Sequence, residues 1–291
     1  MDTAWLQFVA SGLTAGAIYA LVALGFSIIY NASGAINFAQ GEFVMIGGMS
    51  AVTLLAAGLP LAVAVMLAIV VAILVALMVE KLAIEPARDA DTVTLIIITI
   101  GVSLFLRGLA QLVWDKGVHR LPAFSGEQPL HLLGATLLPQ SLWVLGGAAV
   151  AVAALSAFYG RTLLGKAMLA TSYNRMAAQL VGINTRAVLF ASFGLAAALG
   201  ALGGVLIAPI AFTAYDTGIM LGLKGFAAAM LGGLGSFAGA VVGGLVLGLL
   251  EGLGAGFVSS AYKDAIAFVV ILAVLFFLPG GLLGARRSDR V

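Results

Sequence analysis

The chain has 291 residues, of which 63% are hydrophobic and only 9% are charged; 14 Lys and Arg against 12 acids leave a net charge of +2. Soluble domains carry about 25% charged residues, so this composition excludes a globular soluble enzyme, and its apolar content excludes a disordered chain. The small net charge gives no indication of a nucleic-acid partner. The lack of cysteine excludes disulfides, Cys-ligated metals and a thiol nucleophile. An integral membrane protein is therefore expected.

Stretches of about 20 apolar residues, long enough to cross the hydrocarbon core, recur along the chain. They predict an all-α, polytopic transmembrane bundle of about eight segments, in a single domain covering residues 1–291. The first segment lacks the basic start of a cleaved signal peptide, so we expect it to remain. The predicted segments are 6–30, 42–57 (short, and expected to begin inside the membrane), 61–82, 93–114, 142–159, 188–212, the glycine-rich stretch 222–256, and 265–283.

The basic residues indicate which ends of these segments face the cytoplasm. Residues 160–187 contain four Lys or Arg and no acid, and the tail contains Arg286, Arg287 and Arg290. We expect both on the cytoplasmic side, together with the loop 85–91. The N-terminus and the long loop 115–141 then lie outside.

The glycine-rich stretch 222–256 must return to the side that it entered, because 188–212 and 265–283 already connect two cytoplasmic segments. It forms either two short helices or a re-entrant hairpin that turns near 232–239. Many glycines, including Gly12 and Gly16, recur every four residues and so share one helix face. This spacing favours tight packing between helices of one chain; the alternative is a dimer seam or a surface that slides during transport.

Polar side chains stand where the pattern leaves little room for an aqueous loop. Asn37, Gln40 and Glu42 lie between two apolar segments, and Lys224 opens the glycine-rich one. Because a charge at membrane depth usually faces a cavity or a partner, these four residues are candidates for lining a solute path. The alternative for Glu42 is a charge in the first turn of a helix, which the helix dipole stabilises.

Other charged residues give weaker indications. Arg107 is expected to pair with Glu251 or to extend toward the membrane surface. Lys224 and Asp216 are expected to flank the glycine-rich segment at the outer face. The two histidines lie in the outer loop without clustered acids, and no set of nucleophile and base occurs, so neither a metal site nor a catalytic site is predicted.

The basic stretch 161–186 is the one extended intracellular piece. Gly182 is expected to end its helix, which either lies on the lipid surface or docks in a groove on a soluble partner. Residues 160–167 (GRTLLGKA) match the spacing of a phosphate-binding loop, but Ala167 replaces the Ser or Thr that would hold magnesium, and a membrane helix precedes them. No nucleotide site is therefore expected. The predicted apolar stripe of the helix is Met168, Leu169, Met176, Leu180 and Val181.

Three stretches resemble the LivH-type permeases of bacterial branched-chain amino acid ABC transporters, in that family's order. GLTAGAIYALVALGFSIIYNASGAINFAQGEFVMIGG is similar to the family's opening signature, and GLKGFAAAMLGGLGSFAGAVVGGLVLGLLE to its C-terminal one. GKAMLATSYNRMAAQLVGIN looks like its cytoplasmic coupling loop. Two positions depart from the family's pattern: Met176 replaces an acid before Ala-Ala, and Gln40 stands where many relatives have His.

The resemblance implies a permease subunit, not an enzyme, of an ATP-driven importer that moves branched-chain or related amino acids by alternating access in the bacterial inner membrane. It implies a second related permease in a heterodimer, two ATPase subunits that hold ATP and magnesium, and a periplasmic solute-binding protein; this chain needs no cofactor. The alternatives are a secondary transporter or a passive channel for a small solute such as urea or an amide. The implied ATPase-coupling residues are Lys166, Arg175, Met176, Ala177, Ala178, Leu180 and Gly182.

Overall fold

The computed structural model describes residues 4–88, 90–132 and 135–284. This part of the chain forms eleven α-helices and one antiparallel strand pair, and α3 continues through a π-helical turn and a 3-10 turn. The elements are α1 (Ala4–Ser33), α2 (Gln40–Ala56), α3 (Leu61–Val79, extended by Glu80–Ile84 and Glu85–Ala87), α4 (Thr92–Trp114), β1 (Leu130–Leu132), β2 (Ala135–Leu137), α5 (Pro139–Arg161), α6 (Leu163–Tyr173), α7 (Arg175–Leu180), α8 (Thr185–Ala211), α9 (Thr217–Gly232), α10 (Phe237–Phe257) and α11 (Lys263–Phe277).

Seven of these helices are long and apolar enough to cross a membrane: α1, extended α3, α4, α5, α8, α10, and α11 with the short 3-10 turn before it. Two more apolar helices, α2 and α9, are shorter, with 17 and 16 residues. The predicted all-α polytopic bundle is confirmed. The glycine-rich stretch 222–256 forms two helices, α9 and α10, of which the second is long enough to cross.

Helices α1 and α10 lie against each other along their glycines. A Cβ atom on Gly12 would lie 2.7 Å from the backbone oxygen of Gly248, and one on Gly16 would lie 2.9 Å from that of Gly244. No side chain fits at these distances, so glycine alone allows the two backbones to approach so closely. The four-residue spacing thus marks a seam within this chain, and the alternative of a dimer seam is wrong for these four glycines.

Helices α9 and α10 form an antiparallel pair joined by a tight turn. Gly233 and Gly235 in this turn have φ angles of +107° and +88°, which residues with a Cβ rarely adopt. Ser236 then begins α10, because its hydroxyl accepts a hydrogen bond from the amide of Gly239. The predicted turn near 232–239 is therefore confirmed.

Two helices begin in the interior of the bundle. Gln40, the first residue of α2, fills the space beside Gly25, where a Cβ would lie 2.0 Å from its Nε2 atom. Gly25 is about two turns before the end of α1, so the segment between α1 and α2 turns back inside the bundle. The first turn of α9 meets the start of α2, because a Cβ on Gly218 would lie 2.5 Å from the Gly41 oxygen. The prediction that the second segment begins inside the membrane is consistent with this arrangement.

The start of α1 and the outer loop lie at the same end of the molecule. The side-chain amide of Gln7 donates a hydrogen bond to the backbone oxygen of Thr136 and accepts one from the backbone N–H of Thr136, both at 2.7 Å. All three tryptophans are at this end: Trp5 begins α1, Trp114 ends α4, and Trp143 is in the first turns of α5. Tryptophan is enriched at membrane interfaces, so this end marks one of them.

The opposite end carries the turn between α9 and α10. There the Asn31 amide at the end of α1 donates to the Gly235 oxygen in the α9–α10 turn, at 2.8 Å. The extended end of α3 and the first turn of α8 share a groove at Glu85 and Arg186. The loops predicted to be cytoplasmic therefore lie at one end of the bundle, although the basic tail (Arg286, Arg287 and Arg290) lies outside the described residues.

Candidate functional site

The first turn of α2 places a carboxylate inside the bundle. Glu42 is 1% exposed, and its Oε1 atom accepts hydrogen bonds from Ser103 Oγ at 2.7 Å and Arg107 Nη2 at 2.9 Å. Its Oε2 atom is buried without a hydrogen-bond partner among the described residues. The predicted pairing of Arg107 with Glu251 is wrong, because this face of α4 lies beside the start of α2.

A cavity of roughly 160 Å³ lies over this ion pair, between α1, α2, α4 and α9; we call it the Glu42 cavity. Glu42, Ser103 and Arg107 supply its polar groups. Its mouth is apolar and lies between exposed side chains of α4 and α9, such as Leu104 and Leu223. The rest of its lining is Phe26, Phe38, Ile100, Gly218, Ile219 and Gly222.

Asn37 and Gln40 hold the chain reversal before α2 and are absent from the lining of the Glu42 cavity. The Gln40 Nε2 atom donates to the Ala196 oxygen of α8 at 2.9 Å, and the Asn37 Oδ1 atom accepts from the Ala39 amide at 3.0 Å. Both residues are fully buried, and each keeps one polar side-chain atom without a partner in the described part of the chain. Their role in a solute path stays a prediction.

Lys224 lies in a second buried group of charges, the Lys224 cluster, formed with Tyr19, Glu251 and Asp264. Its Nζ atom is 2.8 Å from Glu251 Oε1 and 2.7 Å from Asp264 Oδ1, and Tyr19 Oη donates to Glu251 Oε2 at 2.7 Å. The prediction that Lys224 flanks its segment at the outer face is wrong, because α9 begins inside the bundle and carries position 224 into its interior. Sequence reasoning missed Tyr19 and Asp264. The available signal was the hydroxyl group of Tyr19, a polar group within the apolar sequence of α1.

The loop 160–187, hereafter the coupling loop, contains two short helices rather than one. Asn174 separates α6 from α7, and its Oδ1 atom caps α7 by accepting from the Ala177 amide at 3.0 Å. The break divides the predicted apolar stripe, because Met168 in α6 is buried and packs into the bundle. Gly182 ends α7 with a φ angle of +88°, as predicted for a glycine at a helix C-terminus.

Beyond the break, the coupling loop presents apolar side chains to solvent. Met176 is 73% exposed, Leu180 84% and Val181 78%, while Ala178 on the inner face of α7 is buried. The same loop carries four exposed basic residues: Arg161, Lys166, Arg175 and Arg186. Of the predicted coupling residues, those that the structure leaves exposed are Lys166, Arg175, Met176, Ala177, Leu180 and Gly182.

The GRTLLGKA stretch has no phosphate-loop geometry. Arg161 ends α5 and Leu163 begins α6, so a helix precedes this segment where a phosphate-binding loop follows a strand. The Thr162 hydroxyl accepts from the Gly165 amide at 3.0 Å and caps α6. The segment is a helix–helix junction.

Seven helices of membrane-spanning length, with ion pairs buried among them, define a polytopic membrane protein. A family model described as "Branched-chain amino acid transport system / permease component" matches residues 8–275. The chain belongs to this family.

Curated relatives match along nearly the whole chain. The high-affinity branched-chain amino acid transport system permease protein LivH of Escherichia coli (strain K12) is 33% identical over 304 residues, which cover 99% of this chain and 98% of the relative. The corresponding protein BraD of Pseudomonas aeruginosa is 34% identical, with the same coverage. These matches confirm the predicted resemblance and favour a transport permease over a secondary transporter or a passive channel.

A solved structure shares the fold. PsaBC from Streptococcus pneumoniae, determined in complex with Fab, superposes with a TM-score of 0.51, covering 95% of this chain and 96% of the other. The superposition supports the helical architecture. At 15% sequence identity, it says nothing about the solute.

Proposed function

We propose that this chain is one of two membrane-spanning permeases of an ATP-driven importer of branched-chain amino acids in the bacterial inner membrane. Two ATPase subunits, which bind ATP and magnesium, dock on the coupling loop, and a periplasmic solute-binding protein delivers the amino acid. The chain itself carries no cofactor and catalyses no reaction. The observation that carries the proposal is the exposed apolar surface of α7, with basic residues around it, at one end of a permease of this family.

A second, related permease completes the solute path in this proposal. The mouth of the Glu42 cavity lies between exposed apolar side chains of α4 and α9, including Leu104 at 60% and Leu223 at 44% exposure. A related helical subunit packed over these faces, as one half of a heterodimer, encloses the cavity. Movement of the two permeases against each other then opens the cavity to one side of the membrane at a time.

The four predicted path residues take different parts in this proposal. Glu42 lines the path directly. Asn37 and Gln40 position the start of α2, from which Glu42 reaches the path. Lys224 supports the path from behind, because its partners lie on α10 and α11.

Replacing Leu180 with Asp is expected to reduce ATP-driven leucine uptake by at least about tenfold without preventing membrane insertion. Burying a leucine side chain stabilises an interface by about 1.5–3 kcal/mol, and 1.4 kcal/mol corresponds to a factor of ten. The measurement is uptake into proteoliposomes that contain the complete transporter. The matched control is Val118→Asp, an apolar position in the outer loop that is also exposed (71%, against 84% for Leu180), and it is expected to keep wild-type uptake.

Normal uptake by the Leu180→Asp variant would contradict docking on the coupling loop. Uptake by the wild type that persists without the ATPase subunits would contradict the importer itself and restore the alternative of a secondary transporter or a passive channel.

The orientation of the chain is tested with single cysteines, because the sequence contains none of its own. Tyr173 in the coupling loop is 88% exposed and Val118 in the outer loop is 71% exposed. A membrane-impermeant maleimide is expected to label Val118→Cys in intact spheroplasts and Tyr173→Cys only after lysis. The opposite pattern would overturn the assignment of the N-terminus to the outside and of the coupling loop to the cytoplasm.

A further inference from the structure

The polar groups of the Glu42 cavity have bonding capacity that the chain does not use. Buried polar groups in folded proteins nearly always have partners, yet Glu42 Oε2 and Arg107 Nε have none within the described ranges. A Cβ on Gly218, which lines the cavity, would lie 3.1 Å from Glu42 Oε2. The unpartnered carboxylate oxygen is therefore close to the cavity wall formed by α9, beside a side chain of opposite charge.

The second buried ion pair of the chain shows what a closed arrangement looks like. In the Lys224 cluster both oxygens of Glu251 are used, one by Lys224 Nζ and the other by Tyr19 Oη. None of the five best-defined cavities in the described part of the chain is lined by these three residues. The Glu42–Arg107 pair differs from the Lys224–Glu251 pair in two respects: it lines a cavity, and one oxygen of its carboxylate has no hydrogen-bond partner among the described residues.

We infer that Glu42 and Arg107 form a subsite for the two backbone charges of the transported amino acid. This inference rests on the proposed function. Arg107 binds the α-carboxylate, because the planar guanidinium matches a carboxylate with two parallel hydrogen bonds. Glu42 accepts from the α-ammonium group through Oε2, and the apolar walls, including Phe26 and Ile100, contact an aliphatic side chain.

The charges at the start of the two interior helices fit this assignment. The N-termini of α2 and α9 meet beside Glu42, and each carries a partial positive charge from its aligned peptide dipoles. These dipoles, with Arg107, stabilise a second negative group next to Glu42. The amino acid is neutral overall, and so is the Glu42–Arg107 pair. When the amino acid binds, its charged groups replace part of the interaction between Glu42 and Arg107, and the net charge of the site does not change. Because one set of ionic contacts replaces another, the affinity of the site for the amino acid stays low, and the amino acid can leave on either side of the membrane.

The test removes both charges together, so that neither is left unpaired and the variant is expected to fold. The complete transporter, without its solute-binding protein, is heated with and without leucine, because a ligand that binds the folded state raises the melting temperature. Leucine is expected to raise the melting temperature of the wild type. In Glu42→Gln/Arg107→Met the affinity inferred from this shift is expected to fall at least about tenfold. The control Arg120→Met/Glu127→Gln, which removes an exposed ion pair of the outer loop, is expected to keep the shift.

Ligand analogues separate a subsite from a structural ion pair. Leucinamide lacks the carboxylate and the α-keto acid of leucine lacks the ammonium group, so each is expected to shift the wild-type melting temperature far less than leucine. The subsite would be overturned if leucine raised the melting temperature of the Glu42→Gln/Arg107→Met variant as much as that of the wild type. It would also be overturned if leucine and both analogues raised the wild-type melting temperature equally. A wild type that leucine does not stabilise at all would overturn it too. ATP-driven leucine uptake by the wild type, measured in parallel, tests the proposed function separately, since it stands or fails whatever these shifts show.

Discussion

Replacing Gly248 with Ala is expected to cost at least about 3 kcal/mol of folding stability, the upper end of what overpacking a well-packed interior usually costs. The added Cβ would lie 2.3 Å from three backbone atoms, the oxygen of Gly12 and the Cα and nitrogen of Gly16. Backbone atoms in the middle of a helix cannot rotate away as a side chain can. The methyl group therefore separates α1 from α10, and with them the largest contact surface of the bundle.

The control for Gly248→Ala is the same substitution at Gly101 in α4, where a Cβ would meet no atom within 4 Å. There alanine is expected to stabilise the helix by up to about 1 kcal/mol, because it restricts the unfolded chain more than glycine does. Thermal unfolding of the two purified variants in detergent gives the comparison. Equal melting temperatures would show that α1 and α10 tolerate a wider separation than the structure indicates.

The hydropathy of the sequence predicted the spans because the thickness of the membrane sets their length. The glycine spacing likewise predicted a tightly packed face on α1 and on α10. What the spacing does not contain is the identity of the opposite helix: a repeat of four residues marks a face but not its neighbour. Whether Gly12 and Gly16 meet Gly244 and Gly248 of the same chain or of another copy is decided by the tertiary fold.

Charge pairing could not be predicted for a similar reason. The sequence shows that Arg107 and Glu251 both fall in apolar segments, and a pair between them is the simplest way to neutralise both. The fold instead brings Arg107 to Glu42, 65 positions away in the sequence, and gives Glu251 to Lys224. The difference arises because α2 and α9 begin inside the bundle, which hydropathy indicated only for α2.

The coupling loop shows a local limit of sequence reasoning. The apolar residues of 161–186 fit one helical stripe, but Asn174 can cap a new helix with its own side chain, and that local hydrogen bond competes with a continuous helix. The resulting break turns Met168 into the bundle and leaves Leu180 exposed. The C-terminal end of α7 was the predictable part, because Gly182 supplies the left-handed conformation that terminates it.

Replacing Lys224 with Met is expected to destabilise the protein by about 3–5 kcal/mol, the usual cost of leaving a buried charge without its partner. Methionine has a similar length, so packing changes little, but Glu251 and Asp264 lose the ammonium group that lies 2.8 and 2.7 Å from their oxygens. The matched control is Lys263→Met. Lys263 is 3.5 Å from the same Glu251 oxygen, but its side chain is 44% exposed, so the expected loss is below about 1 kcal/mol.

The double variant Lys224→Met/Glu251→Gln distinguishes the loss of charge balance from the loss of a particular contact. With Glu251 neutralised, only Asp264 loses a charged partner, and its side chain is 35% exposed, against 8% for that of Glu251. Most of the stability lost in Lys224→Met is therefore expected to return in the double variant, as measured by thermal unfolding in detergent. If the double variant is as unstable as Lys224→Met, the ammonium group holds α9 to α10 and α11 through its specific hydrogen bonds, and charge compensation is the smaller effect.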